Sequence, residues 1–404
     1  MKNRLLLLLL SVFSLTALKA QILTKEDSLA AGLTLSGKTT VISGYGEMML
    51  SYNKGTQTGS ANVTRFVTFM GHRFSKNVTL FSELELENAK VTGGGSGEFS
   101  IEQAFIKFDL NRSNYIVAGL FIPRIGIINE NHLPTTYNGN NRHFVERNLI
   151  PSTWREIGVG LYGRFDRLPG FNYYLGLTNG LNSAGFTRQT GIREGRYEGS
   201  NATVTNLALS AAGLYYYRNF RFQASCYYGG SAGIAPKTGD SLQLNTGAFG
   251  TPVLLAETNI QYTGKRFGFK TLASVVNISN AYNISRAYNN NVAQQMLGAF
   301  VEVNYQFLKS HDVFSKKLIG FARYEWYDLN YKMPVNGIKD EAMNCHYLVA
   351  GLTYKPVVGV AIKADVVNRV SGAPNPVFNN PPVPQAPIYL TNNWFYNLGL
   401  AYNF

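Results

Sequence analysis

Residues 394–404 read WFYNLGLAYNF. The even positions hold Trp394, Tyr396, Leu398, Leu400, Tyr402 and Phe404; the odd positions hold Phe395, Asn397, Gly399, Ala401 and Asn403. Successive side chains of a strand point to opposite faces, so this segment has one aromatic, aliphatic face and one that is mostly small or polar. Such a strand suits a wall with lipid on one side and water on the other. A half-buried strand of a soluble protein alternates in the same way. Recurrence along the whole chain separates the two readings.

The other end carries an export signal. Lys2 and Arg4 precede the uncharged apolar run 5–18, and Ala20 stands before Gln21, the layout of a secretory signal peptide. The run has no polar face, which argues against a buried amphipathic helix, and it is short for a spanning helix. We expect cleavage after Ala20, giving a leader over 1–20, a periplasmic N-terminal segment over 21–38 and one barrel domain over 39–404. Beyond Gln21 no stretch of about 18 residues is both uncharged and strongly apolar. A mature chain that spans a membrane must therefore do so as a closed barrel.

Composition agrees. The chain has 40 Gly, 25 Tyr and 25 Phe but only 15% charged residues, and its mean hydropathy of −0.09 is near neutral, as expected where two unlike faces average. The formal net charge is +13, and loss of Lys2, Arg4 and Lys19 with the leader lowers it to +10. Nucleic acid, an acidic surface or an anion path could each match that balance; export makes nucleic acid the weakest. Cys226 shares parity with Phe220 and Phe222, whereas Cys345 shares it with Gly351 and Thr353, so the two thiols fall on opposite faces and cannot pair.

Turn signals divide the chain into sixteen strands, at 39–52, 62–74, 78–90, 99–110, 114–123, 154–166, 171–180, 204–218, 220–231, 249–264, 266–278, 293–308, 317–329, 344–355, 359–369 and 392–404. With both termini periplasmic, short connections such as 75–77, 111–113, 166–170, 264–265 and 356–358 alternate with long ones such as 53–61, 181–203 and 371–391. That is the pattern of an outer-membrane antiparallel β-barrel. Each descending strand also ends in an aromatic on its lipid-facing parity: Phe74, Phe108, Phe165, Tyr217, Tyr262, Phe307, Tyr354 and Phe404. Aromatic rings favour the boundary between acyl chains and headgroups, although they are β-prone in any setting.

The opposite parity places charge in the lumen. Over 78–87, Val78, Leu80, Leu84 and Leu86 face one way, while Thr79, Phe81, Glu83, Glu85 and Glu87 face the other. The same reading puts Lys107, Asp109, Arg164, Asp166, Glu257, Lys270, Glu302, Arg323, Glu325, Lys363 and Asp365 inside. An Arg or Lys on the lipid side at the midplane would cost about 2–4 kcal/mol. These charges predict a wet interior; a solvated face of a soluble β-protein is the alternative for any single one.

The longest connection, 124–153, follows the fifth strand. Its apolar residues Ile125, Ile127, Ile128, Leu133, Tyr137, Phe144, Val145, Leu149 and Ile150 argue against disorder and for packing. A sixteen-strand barrel has room to hold such a loop. We expect this third external loop to fold inward and narrow the passage, with Arg124, Glu130, His132, Arg142, His143, Glu146, Arg147, Arg155 and Glu156 at the constriction. About half of these should serve structure alone, because buried charges persist mainly in pairs.

Residues 119–163 read GLFIPRIGIINENHLPTTYNGNNRHFVERNLIPSTWREIGVGLYG. The pieces Ile128-Asn129-Glu130 with His132, Pro134-Thr135-Thr136 and 150–156 (IPSTWRE) resemble the signature region of outer-membrane porins from Bacteroidetes-type bacteria, a branch similar to the phosphate-selective porin family. The resemblance implies a bacterial outer-membrane pore for small hydrophilic solutes, commonly a homotrimer. It does not imply phosphate selectivity: no basic ladder is matched, and Glu83, Glu85 and Glu87 oppose it.

Enzymatic readings are weaker. Gly158, Gly160 and Gly163 spell GxGxxG, but no helix pattern follows, as a dinucleotide site would require; small residues that make room beside the loop explain Gly158 and Gly160 better. Glu130 with His132, and His143 with Glu146, could offer metal ligands, and Ser152 a nucleophile. No spacing fixes such a geometry, so neither a catalytic residue, a metal nor a cofactor is expected, and the chain is not read as an enzyme. The run Gly93-Gly94-Gly95-Ser96-Gly97 reads as a loop tip. Two functional classes remain: a passive porin with weak anion preference, from four Arg against three Glu in and beside the loop, or an adhesin or structural barrel with a closed lumen.

Overall fold

The computed structural model describes residues 40–89, 97–308, 316–378 and 390–404. The leader over 1–20, the segment over 21–38, most of the glycine run and part of the last external loop lie outside the described residues.

The described residues form sixteen strands: β1 Thr40–Asn53, β2 Thr58–Ser75, β3 Val78–Glu87, β4 Glu98–Asp109, β5 Asn114–Phe121, β6 Glu156–Arg164, β7 Phe171–Asn179 and β8 Leu207–Tyr217, then β9 Phe220–Gly229, β10 Val253–Thr263, β11 Phe267–Ile278, β12 Gln295–Gln306, β13 Lys317–Lys332, β14 Asn344–Lys355, β15 Val360–Ser371 and β16 Asn392–Asn403. Each pairs antiparallel with its sequence neighbours, and β1 pairs with β16 to close the barrel. Closure runs from Tyr45 opposite Asn403 to Asn53 opposite Phe395, and reciprocal backbone bonds join Gly44 to Phe404 at 3.1 and 2.9 Å. A closed wall leaves no unpaired edge, which is what hydrocarbon demands of a spanning sheet. No helix among the described residues is long and apolar enough to cross a membrane.

The terminal strand behaves as its alternation predicts. Trp394, Tyr396, Leu398, Leu400 and Phe404 are exposed on the outside, while Asn397, Gly399 and Ala401 are buried within. Around the barrel the outward positions form an apolar band that includes Leu50, Phe66, Met70, Ile101, Val159, Leu175, Leu209, Leu254, Val301, Leu348 and Ile362. Six of the eight predicted boundary aromatics, Phe74, Phe108, Phe165, Tyr217, Phe307 and Phe404, stand exposed on that surface; Tyr262 and Tyr354 are half-buried. Cys226 is exposed and Cys345 buried, both as free thiols.

The first external connection differs from expectation. β2 begins at Thr58 rather than 62, and Asn53 pairs with Thr58 across a tight turn. Polar Thr58 and Ser60 continue the ladder opposite Asn53 and Ser51, so the hairpin extends beyond the apolar band instead of ending in a loop. Four ladders also contain irregularities; in the β3–β4 pair Glu83 faces Gln103 while Leu84 faces Ile101, leaving Glu102 as an extra residue.

Candidate functional site

The wall ends at Phe121, and the chain turns inward because Pro123 has no amide to continue the ladder. Gly126 then adopts φ +82°, a conformation that strains other residues, and its amide donates to Glu257 on β10 at 3.2 Å. The amides of Ile127 and Ile128 both donate to Glu146 Oε1, at 2.5 and 2.9 Å. Asn129 closes the loop on itself: its amide group donates to the carbonyls of Ile125 (3.0 Å) and Pro151 (2.9 Å), and its oxygen accepts from the Trp154 amide (3.2 Å). One short helix, α1 Phe144–Asn148, lies within.

Apolar packing fixes this loop against one side of the lumen. Ile125, Ile127, Val145, Leu149, Ile150 and Trp154 share a core with Leu255, Leu272, Val276, Phe300, Val349 and Val367 of the wall, and Leu181, Phe186 and Ile192 of the next external loop join them. Each fully buried aliphatic side chain contributes about 1.5–3 kcal/mol relative to exposure. The lumen is therefore not uniformly wet. Parity places these wall residues inside correctly, but on β10–β15 many inward positions face the loop rather than water.

Polar ties hold the remainder around the circumference. On the far wall Arg323 bonds Glu302 (3.2 Å) and Glu325 (2.7 Å), and its guanidinium reaches the loop carbonyls of Asn138 and Asn141, each at 3.4 Å. His143 stacks on Phe300 and meets Glu146 at 2.7 Å and Glu302 at 3.8 Å. Burial disfavours the charged imidazole, but its hydrogen bond to Glu146 and the nearby Glu302 carboxylate prevail and raise its pKa. Next to β16, Asn140 bonds Asp365 through both its amides, at 2.7 and 2.6 Å, and Lys363 donates to Gly139 at 2.8 Å while lying over the Tyr137 ring. On the near wall Tyr137 donates to Glu47 (3.0 Å), which also pairs with Arg65 (2.7 Å), and Arg65 reaches Glu85 at 3.3 Å.

The expected constriction residues divide clearly. Arg124 pairs with Glu130 at 3.1 Å and lies over Tyr162; Glu130 also forms an ion pair with Arg221 at 2.9 Å. His132 lies against Glu83 and Glu102, at 3.3 and 3.8 Å. Arg155 pairs with Glu198 at 3.0 Å. Glu156 accepts the Trp154 indole N–H (2.9 Å) and the Asn179 amide (2.5 Å). Arg142 and Arg147 differ: neither has an ion pair among the described residues, Arg147 is exposed, and Nε and Nη2 of Arg142 have no hydrogen-bond partner. Of the wall residues, Lys107 pairs with Asp109 at 2.7 Å, Arg164 lies 3.7 Å from Asp166, and Lys270 stands opposite Glu302 in register.

Five charged participants were not singled out from sequence: Glu47, Arg65, Glu102, Glu198 and Arg221. Parity would have found Arg65 and Glu47. Glu102 was hidden because the parity that puts Lys107 and Asp109 inside and Phe108 outside assigns it to the lipid face; the extra residue in β4 reverses that parity, so Ile101 faces lipid and Glu102 faces inward. Beneath the loop, a second apolar group of Phe69, Phe81, Phe105, Val117, Tyr162 and Tyr174 lines the lumen towards the short-turn end. Gly160 makes room there for the wall's own rings; a Cβ would meet Tyr162 at 2.9 Å and Tyr174 at 3.2 Å. Gly158, Gly160 and Gly163 all lie in β6. Between this layer and the loop is a cavity of about 100 Å³ lined by Gln103, Tyr115, Arg124, Glu130, Asn131 and His132, among others.

No protein-family model matches the chain. An uncharacterized protein of Aquifex aeolicus is 27% identical over 339 residues, covering 81% of this chain and 75% of that one. Among solved structures, Salmonella typhi OmpF in complex with daunomycin superposes with a TM-score of 0.54 at 12% identity, over 90% of this chain and 97% of that one. The anion-selective porin from Comamonas acidovorans gives 0.52 at 10% identity, over 90% and 99%. The trimer form of OmpT, an outer membrane protein of Vibrio cholerae, gives 0.51 at 11% identity, over 91% and 99%. At such identities the likeness is one of fold: sixteen antiparallel strands closed as in outer-membrane porins.

Proposed function

We propose that the protein is a passive, non-enzymatic outer-membrane channel for small hydrophilic solutes, narrowed by its third external loop. The observation that carries this reading is the loop itself, held inside a closed lipid-facing barrel by ties to opposite walls while charged side chains remain around it. We place the passage beside β4–β6 and β9, where the cavity lined by Arg124 and Glu130 lies and where Arg221 and Lys107 add charge. A weak anion preference follows from compensation: Glu130 and Glu146 are each held by a cation or amides, whereas Arg142 and Arg147 lack a carboxylate partner among the described residues. Fixed charge without a partner at a narrow, low-dielectric point acts strongly on passing ions.

Purified protein in planar bilayers should give stable open steps, with a reversal potential in a salt gradient of the sign for anions. Cation selectivity would reject the preference. A folded preparation without steps would favour the second reading, an adhesin or structural barrel, which the apolar packing of the loop against β10–β15 supports. For assembly we infer a homotrimer in outer-membrane lipid. A shallow outer groove over β1, β2 and β14–β16 exposes the small residues Gly59, Ala61, Ala350 and Ala364 between Leu50, Leu398 and Tyr396, where another wall could approach closely. Cross-linking in native membranes tests it.

A further inference from the structure

Where the loop meets the near wall, three potential metal ligands converge: Glu83 of β3, Glu102 of β4 and His132 of the loop, with one ligand atom from each all within 4.8 Å of one another. We propose that this is a binding site for a single divalent transition-metal ion, of which Zn²⁺ is the type, and that the ion latches the loop to the barrel wall.

The geometry comes close to that of such an ion and needs only a small inward shift of the carboxylates. A tetrahedral ion with bonds of about 2.0–2.2 Å sets its ligand atoms roughly 3.3–3.6 Å apart. His132 Nε2 lies 3.3 Å from Glu83 Oε1 and 3.8 Å from Glu102 Oε2. One imidazole with two carboxylates is a donor set for borderline divalent ions rather than for calcium or magnesium. A cavity of about 100 Å³ lies beside His132 and Gln103.

Three further observations point to a missing cation. The Glu102 side chain is wholly buried, yet its Oε1 has no hydrogen-bond partner among the described residues. An unpartnered buried carboxylate oxygen is costly unless something else occupies it. The carboxylate arrives there through the extra residue in β4, since regular alternation would have turned it towards lipid. Ladder irregularities of this kind re-aim side chains beside functional sites. The local charge is also uneven: buried Glu47, Glu83, Glu85 and Glu102 are faced by Arg65 and, at longer range, Lys363 and Arg142. With a neutral, ligating imidazole the carboxylates still outnumber the cations, an excess that a bound cation offsets. Gln103, bonded to the other oxygen of Glu83 at 2.7 Å, and Tyr45, donating to Glu102 Oε2 at 3.2 Å, would orient the two carboxylates.

The test uses the full-length protein, folded in detergent, stripped with a chelator and titrated calorimetrically with ZnCl₂. The wild type should bind one equivalent with saturation. His132→Ala and Glu102→Gln should each weaken that binding about 100-fold or more, whereas Glu130→Gln, altering the neighbouring ion pair, should leave it unchanged. Heat-modifiable mobility on gels reports barrel closure. If Glu102→Gln does not fold, His132→Ala, which changes only the loop, still decides the matter. Absence of a saturable equivalent in the wild type, or its persistence in His132→Ala, overturns the proposal. Binding is read without any current, so its failure is separable from failure of the channel reading.

Discussion

The two walls that grip the third loop are built differently. On the far side, Arg323 and His143 are set among Glu302, Glu325 and Glu146, and the loop's apolar residues are seated on β10–β15. On the near side, carboxylates outnumber cations, a buried oxygen of Glu102 lacks a partner among the described residues and a cavity remains. The difference teaches that the far wall fixes the loop by ion pairs and apolar packing, whereas the near wall holds it through an excess of carboxylates; on the reading proposed above, that is the side open to ions and solutes.

Breaking the far wall should cost most. Arg323→Ala leaves Glu302 and Glu325 buried without their guanidinium, and the loss is expected to be about 3–5 kcal/mol, read from the urea midpoint of the folded barrel. In chelated protein, Glu102→Gln on the near wall should cost far less, because it relieves repulsion with Glu83. Equal losses would erase the comparison. Leu149→Ala comes next. The side chain is fully buried among wall residues, so an expected loss of about 2–5 kcal/mol accompanies the cavity, and faster proteolysis within 124–153 should follow.

A smaller effect is pH-dependent. His143 has its pKa raised by Glu146 and Glu302 against the effect of burial. Its contribution is therefore complete below the ordinary histidine value of about 6.5 and is lost as pH rises through the raised value. Wild-type stability should fall over that alkaline interval. His143→Gln should flatten the decline and cost about 1–3 kcal/mol on the acid side. A decline that persists unchanged in the variant would place its origin elsewhere.

Much of the architecture was legible because strand alternation has a period of two and a closed wall applies it everywhere. All sixteen strands occur close to their expected positions, and the inward parity of Glu83, Glu257, Glu302, Arg323 and Lys363 is that of the structure. Parity names the face but not what lies beyond it. Hence Leu272 and Val276 could not be recognised as partners of the loop, since apolar and charged residues share their side of the wall. Nor does parity survive an extra residue, which concealed Glu102. The loop's apolar content announced that it packs; which of its charges would pair depended on wall residues far away in sequence, such as Arg221 for Glu130 and Glu198 for Arg155.

The finest distinction is between Arg147 and the paired arginines of the same loop. Arg147→Glu should change stability by no more than about 0.5 kcal/mol, as expected for an exposed residue without a specific partner. It nevertheless reverses a fixed charge beside the passage, so the reversal potential should move towards cation selectivity, and adding Arg142→Glu should move it further. Arg124→Glu is the control. That change removes one of the two cations that hold Glu130, so it should destabilise the loop while altering selectivity through disorder as much as charge. If Arg147→Glu leaves selectivity unchanged in a stable channel, ions do not pass that side of α1, and the conducting path is confined to the polar strip beside Arg124 and Arg221.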